Sequence, residues 1–295
     1  MNTEYFNILS IILSCLISHF FPFELLLGAY AFLGPAHYLT EISWLYDRKF
    51  FVGNFWVAFT MAAGTGVVIA FPQYWGIYLW SSIALSFAIT SSKKKAFRLI
   101  VFAVIMSLYF FVYRSHGILS IILMTLLPTI IHVFLFTILF VISGYLKRKD
   151  PLTLLTLGMI VLATSSFFLL PLEVQSLFPK WTENNIDYFK NITTSIIEVL
   201  GLVNSYRIFF ALSKFVAFAY TFHYLNWFAK TELFGWHKTS SNRNRLMLLG
   251  YLLFVGIYIY DYKIGLKTLF YLSILHVILE FPLNIITTKK IYSTN

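Results

Sequence analysis

Gly34-Pro35-Ala36-His37-Tyr38-Leu39-Thr40-Glu41-Ile42-Ser43-Trp44-Leu45 and Ser273-Ile274-Leu275-His276-Val277-Ile278-Leu279-Glu280 carry one pattern, a histidine and a glutamate four residues apart inside an apolar run. Positions i and i+4 share a face of an α-helix, so each run presents an imidazole and a carboxylate side by side. Runs this apolar read as membrane-spanning, where ionisable groups are costly and mark function. The fold class and the search for chemistry both start from these two segments.

The rest of the chain has the same character. It is 59% hydrophobic, 20% aromatic and 12% charged, with a mean hydropathy of +0.77, a balance that cannot clothe a soluble surface. Stretches of roughly 20 apolar residues recur from end to end, each long enough to cross a bilayer. They are continuously apolar rather than alternating, which argues against a β-barrel. The expectation is an all-α polytopic helical membrane bundle, one integral-membrane domain over residues 1–295. Its helices are expected at about 5–20, 24–45, 50–71, 73–90, 97–113, 117–146, 152–170, 205–229, 246–260 and 264–286.

Ten spans put both termini on one side. Arg48, Lys49, the Lys93–Lys95 run, Arg98, the Lys147–Lys149 run, Lys230, Lys238, Arg243, Arg245, Lys289 and Lys290 all fall on that side. Only Arg114, Lys180, Lys190, Lys263 and Lys267 fall on the other. By the positive-inside rule the termini are cytoplasmic, in a multi-pass protein of the cell membrane, the inner membrane of a bacterium. The net charge of +10 is mostly this bias, and no nucleic-acid partner is expected because no basic face is built. Phe21-Pro22-Phe23-Glu24 follows the first helix where a signal peptide would carry small residues, so that helix reads as retained. The single cysteine, Cys15, excludes an internal disulfide and reads as a packing residue. A helix from 190 to 229 would be ~60 Å long, so an interfacial or re-entrant helix is expected before the spanning one.

Of seven histidines, His19, His116 and His237 fall at helix ends or in loops and read as interfacial. His37, His132, His223 and His276 lie inside the second, sixth, eighth and tenth expected helices, all running from outside to inside. They precede the first cytoplasmic base by 11, 15, 7 and 13 residues, depths of ~10 to ~22 Å at 1.5 Å per residue. Glu41 and Glu280 fall at ~10 and ~13 Å by the same count. The six groups therefore occupy the cytoplasmic half of the membrane. Neutral imidazole is the commonest metal ligand, and mixed imidazole–carboxylate sets suit iron, zinc, copper or manganese. The four histidines are the candidate metal ligands. Glu41 and Glu280 are the candidate catalytic carboxylates, as ligands or as acceptors from a ligating imidazole. Asn226 is a further candidate for that supporting role. A bland reading stands beside this one: a membrane histidine is often a helix–helix hydrogen-bonding residue, and each His-Glu pair a packed ion pair. Pro35 and Pro128 precede His37 and His132 and are expected to kink their helices there. Arg207 and Lys214 read as snorkelling bases. Nine residues separate Lys214 from His223, about half a turn off one face, so one site is not expected to use both. No tyrosine is assigned a role.

Tight histidine boxes of fatty-acid desaturases are absent, since the closest histidines, His223 and His237, are 14 residues apart. There is no His-Glu-x-x-His, Gly-x-Ser-x-Gly, P-loop or dinucleotide fingerprint. Single histidines dispersed over separate helices resemble the bacterial membrane carotene-cleaving oxygenases that form retinal. That resemblance implies one non-haem iron held by His37, His132, His223 and His276. The 34–45 segment also resembles a signature of uncharacterised polytopic bacterial membrane proteins. The sequence reading is thus a metal-dependent membrane oxygenase or oxidoreductase, with non-haem iron, a lipid or isoprenoid substrate and an electron donor the sequence does not name. Competing readings are a haem-b electron carrier using paired histidines, a proton-coupled transporter using the same His and Glu groups, and a metal-free acyltransferase with a histidine base.

Overall fold

The computed structural model describes residues 3–49, 55–115, 126–170, 172–203, 205–230 and 239–293. An apolar run with no water to bond satisfies its backbone N–H and C=O groups internally. Every regular element among the described residues is accordingly helical. Along the chain come α1 (Thr3–Phe20), α2 (Pro22–Gly28), a π-helical turn (Ala29–Leu33), α3 (Gly34–Asp47), α4 (Phe55–Ala70), α5 (Trp75–Ser91) and α6 (Lys95–Ser115). A π-helical stretch (Leu127–Phe136) runs into α7 (Thr137–Arg148). Then follow α8 (Pro151–Leu169), α9 (Pro179–Asn185), α10 (Asp187–Val199), α11 (Tyr206–Phe228), α12 (Ser241–Tyr260) and α13 (Tyr262–Ser293).

Among the described residues, five segments are long and apolar enough to cross a membrane: Thr3–Phe20, Thr129–Arg148, Pro151–Leu169, Tyr206–Phe228 and Tyr262–Ile291. On their length and composition this is a helical membrane protein. The expected 24–45 helix differs from what forms: it begins at Pro22 and is interrupted by the π turn. The expected break before α11 is present, and its chemistry is local. Gly201 adopts φ +63°, its N–H donates to Glu198 O at 3.1 Å, and the Leu202 N–H donates to Ile197 O at 3.0 Å. This is a Schellman closure, which needs a residue without Cβ in the left-handed region. Ser205 then caps α11, its hydroxyl accepting from Ile208 N.

By contact the chain divides into two compact units, Met1–Leu39 with Thr129–Thr268, and Thr40–Pro128 with Leu269–Asn295. The first is organised around α11, on which every residue from Ala211 to Phe222 is buried. α1 packs on it inside out. Glu4, Asn7, Ser10, Ser14 and Ser18 face inward, while Tyr5, Leu9, Leu13 and Leu16 face outward, the arrangement an apolar solvent selects. The buried polar atoms join into a chain. Glu4 accepts from Arg148 Nη2 at 2.8 Å and Thr156 Oγ1 at 3.2 Å. Asn7 Oδ1 accepts from Asn226 Nδ2 at 3.0 Å, and Asn226 Oδ1 accepts from Lys230 Nζ at 2.6 Å. Asn226 is therefore engaged with α1 and its own helix end.

In the second unit α4, α5 and the later part of α13 are tied by tyrosines. The Tyr78 hydroxyl donates to Met61 O at 2.7 Å and meets Thr65 Oγ1 at 2.8 Å; Tyr271 donates to Ala62 O at 2.9 Å. The Tyr78 ring lies so close to α4 that a Cβ on Gly64 would stand 2.4 Å from its edge. Because two hydrogen bonds hold that ring, Gly64→Ala should overpack the contact. We expect a loss of about 1–3 kcal/mol, read as a lower Tm of the purified protein.

Candidate metal centre

Two of the four candidate histidines stand where a helix departs from α geometry. A proline ring clashes with the carbonyl four residues back and removes a donor. Pro35 follows directly on the Ala29–Leu33 π turn, and Pro128 lies inside the Leu127–Phe136 π stretch. The helix takes up the strain by widening its turns, a feature concentrated at functional sites. His37 comes two residues after the first proline and His132 four after the second. His223 is carried by the regular, buried α11.

These three residues, all in the first unit, come together. His37 is fully buried and His132 nearly so, while His223 is half-buried. His37 Nε2 lies 3.1 Å from His223 Nε2, with ring centroids 4.6 Å apart. The His132 and His223 rings are 5.1 Å apart, and one ligand nitrogen from each of the three lies within 4.8 Å of the others. Thr137 orients His223. Its hydroxyl donates to Val133 O at 2.8 Å and lies 2.8 Å from His223 Nδ1. The one hydroxyl proton is spent on the carbonyl, so the oxygen accepts from His223 Nδ1–H. That fixes the tautomer and aims the Nε2 lone pair at His37. Metal–nitrogen bonds of ~2.1 Å separate cis nitrogens by ~3.0 Å at right angles and ~3.4 Å in a tetrahedron. The 3.1 Å pair lies inside that window. It serves either as an N–H···N hydrogen bond or as two ligands of one ion.

Aromatic rings wall His37: Tyr224 at 5.1 Å, Trp227 at 5.4 Å and Tyr38 at 5.5 Å between centroids. The Tyr38 and Tyr224 hydroxyls meet at 2.6 Å. Sequence reasoning passed these tyrosines over. The available signal was spacing, since Tyr220 and Tyr224, like Tyr258 and Tyr262, repeat the i, i+4 rule of the His-Glu pairs. It was masked by nineteen tyrosines in the chain.

No protein-family model, curated protein or solved structure matches the chain. Its chemistry is therefore argued from the side chains alone.

The remaining candidates lie in the second unit. His276 is buried, and its Nδ1 stands 3.3 Å from Leu272 O, so Nδ1–H donates to that carbonyl and Nε2 is the basic nitrogen. Glu280, one turn on, is buried and accepts from Asn284 Nδ2 at 3.2 Å. Glu41 is 1% exposed. Asn226 serves α1 and Lys230 instead of an imidazole. Lys214 does not snorkel to a headgroup: it is 2% exposed and donates to Leu172 O, because the chain leaving α8 offers carbonyls no helix satisfies. As its angle on α11 predicts, it takes no part in the histidine group. His19 is buried at the end of α1, with Nε2 2.9 Å from Ser166 Oγ. His116 and His237 lie outside the described residues.

Thr137→Val preserves side-chain shape while removing the acceptor that holds His223. Uptake of Co(II), followed by its visible absorption, should weaken by roughly 10- to 100-fold with little change in Tm.

Proposed function

We propose that His37, His132 and His223, with His276 as a fourth ligand, hold one transition-metal ion, and that the ion is non-haem iron. The protein is then a membrane oxidoreductase, an oxygenase acting on a lipid or an isoprenoid. The observation that carries this reading is the pair of Nε2 atoms 3.1 Å apart, one of them oriented by Thr137. His276 joins on two grounds. Its depth count matches the others, and its Nδ1–H is taken by Leu272 O, which leaves Nε2 for a metal. A divalent ion on four neutral imidazoles carries two uncompensated charges into a medium that penalises them. Glu41 and Glu280 are the two buried carboxylates that offset that charge, accepting from ligating imidazoles or binding directly.

A haem reading is disfavoured. Axial nitrogens of one haem sit ~4 Å apart across the porphyrin, and His37 and His223 are too close to admit the ring between them. An iron centre in an apolar interior meets dioxygen and bilayer-dissolved substrates without crossing water, and limits wasteful hydrolysis. The topology proposed with this function is ten spans with cytoplasmic termini in a cell membrane, a bacterial inner membrane. The centre then lies in the cytoplasmic half, within reach of a cytoplasmic electron donor.

Metal analysis and an absorption spectrum of the purified protein test the reading. One equivalent of iron with no Soret band is expected, falling to near zero in His37→Ala and His223→Ala. A Soret band, or a wild type that takes up neither Fe(II) nor Co(II), overturns it. Glu41→Gln and Glu280→Gln should each weaken metal retention at neutral pH; unchanged retention removes the carboxylates from the site.

A further inference from the structure

The buried aromatic wall behind His37 continues into a cluster of phenols drawn from distant parts of the chain. Tyr30 lies on the π turn, Tyr38 on α3, Tyr220 and Tyr224 on α11, Tyr258 on α12 and Tyr262 on α13, and all six are buried. All belong to the first unit. Tyr30 is 6.4 Å from Tyr38 and 6.2 Å from Tyr220 between centroids, Tyr220 is 6.1 Å from Tyr224, and Tyr258 is 5.1 Å from Tyr262. The Tyr258 hydroxyl interacts electrostatically with those of Tyr30, Tyr262 and Tyr188, so the two groups of rings form one cluster.

Most buried phenols find a partner. The Tyr38 and Tyr224 hydroxyls bond each other, and Tyr262 donates to Leu27 O at 3.1 Å. Tyr258 Oη is buried and has no hydrogen-bond partner. The ring cannot turn away to find one. A Cβ on Gly265 would stand 2.6 Å from both Cγ and Cδ1 of Tyr258 and 2.9 Å from its Cα, so α12 and the start of α13 close on the ring. That approach is open only to glycine at position 265. The fold thus holds a donor fixed, dry and unused, at a cost of about 1–3 kcal/mol.

A group held this way is suited to a ligand. Phenol is a better donor than acceptor, so the missing partner is an acceptor oxygen. The hydroxyl's electrostatic neighbours are phenols, none of them a cation, and an anion buried among them would go uncompensated. The acceptor is therefore neutral. Rings standing at 55–72° around Tyr30 leave flat faces and edges for a conjugated plane. We propose that this cluster binds the head group of a bilayer-soluble, flat, conjugated carbonyl compound of the quinone type, with Tyr258 donating to its carbonyl oxygen. The proposal rests on the oxidoreductase reading in taking this ligand as the substrate presented to the histidines.

Decylubiquinone is the probe, added to the metal-stripped full-length protein in detergent, with binding read by quenching of intrinsic fluorescence and by Tm. Saturable binding and a rise in Tm are expected, and an alkylbenzene of equal tail length lacking carbonyls should give neither. Tyr258→Phe keeps the ring against Gly265 and should weaken quinone binding about five- to tenfold. Without the probe its Tm should equal or exceed that of the wild type, because an unsatisfied hydroxyl has been removed. A purely structural tyrosine would instead lower that Tm. Wild type that binds the alkylbenzene as well as the quinone, Tyr258→Phe that binds the quinone unchanged, or Tyr258→Phe less stable without ligand overturns the proposal. The assay contains no metal, so failed metal uptake overturns the metal reading alone and failed quinone binding overturns this one alone.

Discussion

A carboxylate, a carboxamide or an imidazole placed in hydrocarbon has no water to bond, and each must find its partner inside the protein. The first unit meets that constraint around α11, which is buried along nearly its whole length. One end of the unit is closed by Glu4, Arg148, Thr156, Asn7, Asn226 and Lys230 in a continuous hydrogen-bonded chain. Along the same helix, His223 is held by Thr137 against His37. The polar chain and the histidine group are thus neighbours on α11, separated by less than one turn between His223 and Asn226. The chain fixes where α1 and α8 sit on α11 and so keeps the frame of the imidazoles rigid.

The histidine group was legible because depth in a membrane can be counted. Apolar run lengths and the first following base located His37, His132 and His223 at compatible heights, and the three do meet. Helical angle also excluded Lys214 from their company. Partners across helices were not legible. Asn226 looked like support for an imidazole, yet it bonds Asn7, a residue 219 positions away on a helix whose polar stripe is spread thinly among leucines. Lys214 looked like a snorkelling base because sequence does not reveal that a carbonyl at Leu172 lies within its reach. The phenol cluster was hidden for a related reason. A tyrosine facing lipid and one facing the core carry the same side chain, and only packing separates them.

Local breaks were read with mixed success, and each failure has a physical cause. The end of α10 follows from Gly201 and its left-handed φ. The prolines before His37 and His132 announced irregular helices, but whether a helix answers proline by kinking or by widening depends on what packs beside it. Here it widens, at Ala29–Leu33 and over Leu127–Phe136.

Those widened turns make the spacing of the chain a stricter requirement than its composition. A π turn holds one residue more than the α turn it replaces, so removing a single residue from Ala29–Leu33 would restore a regular helix with all its apolar character intact. Everything after the deletion would swing by about 100° around the axis. His37 would leave its partners and face another wall, while Tyr38 would turn toward the place it vacated. Substitution tolerance in this stretch and deletion tolerance should therefore part company, the first broad and the second close to nil.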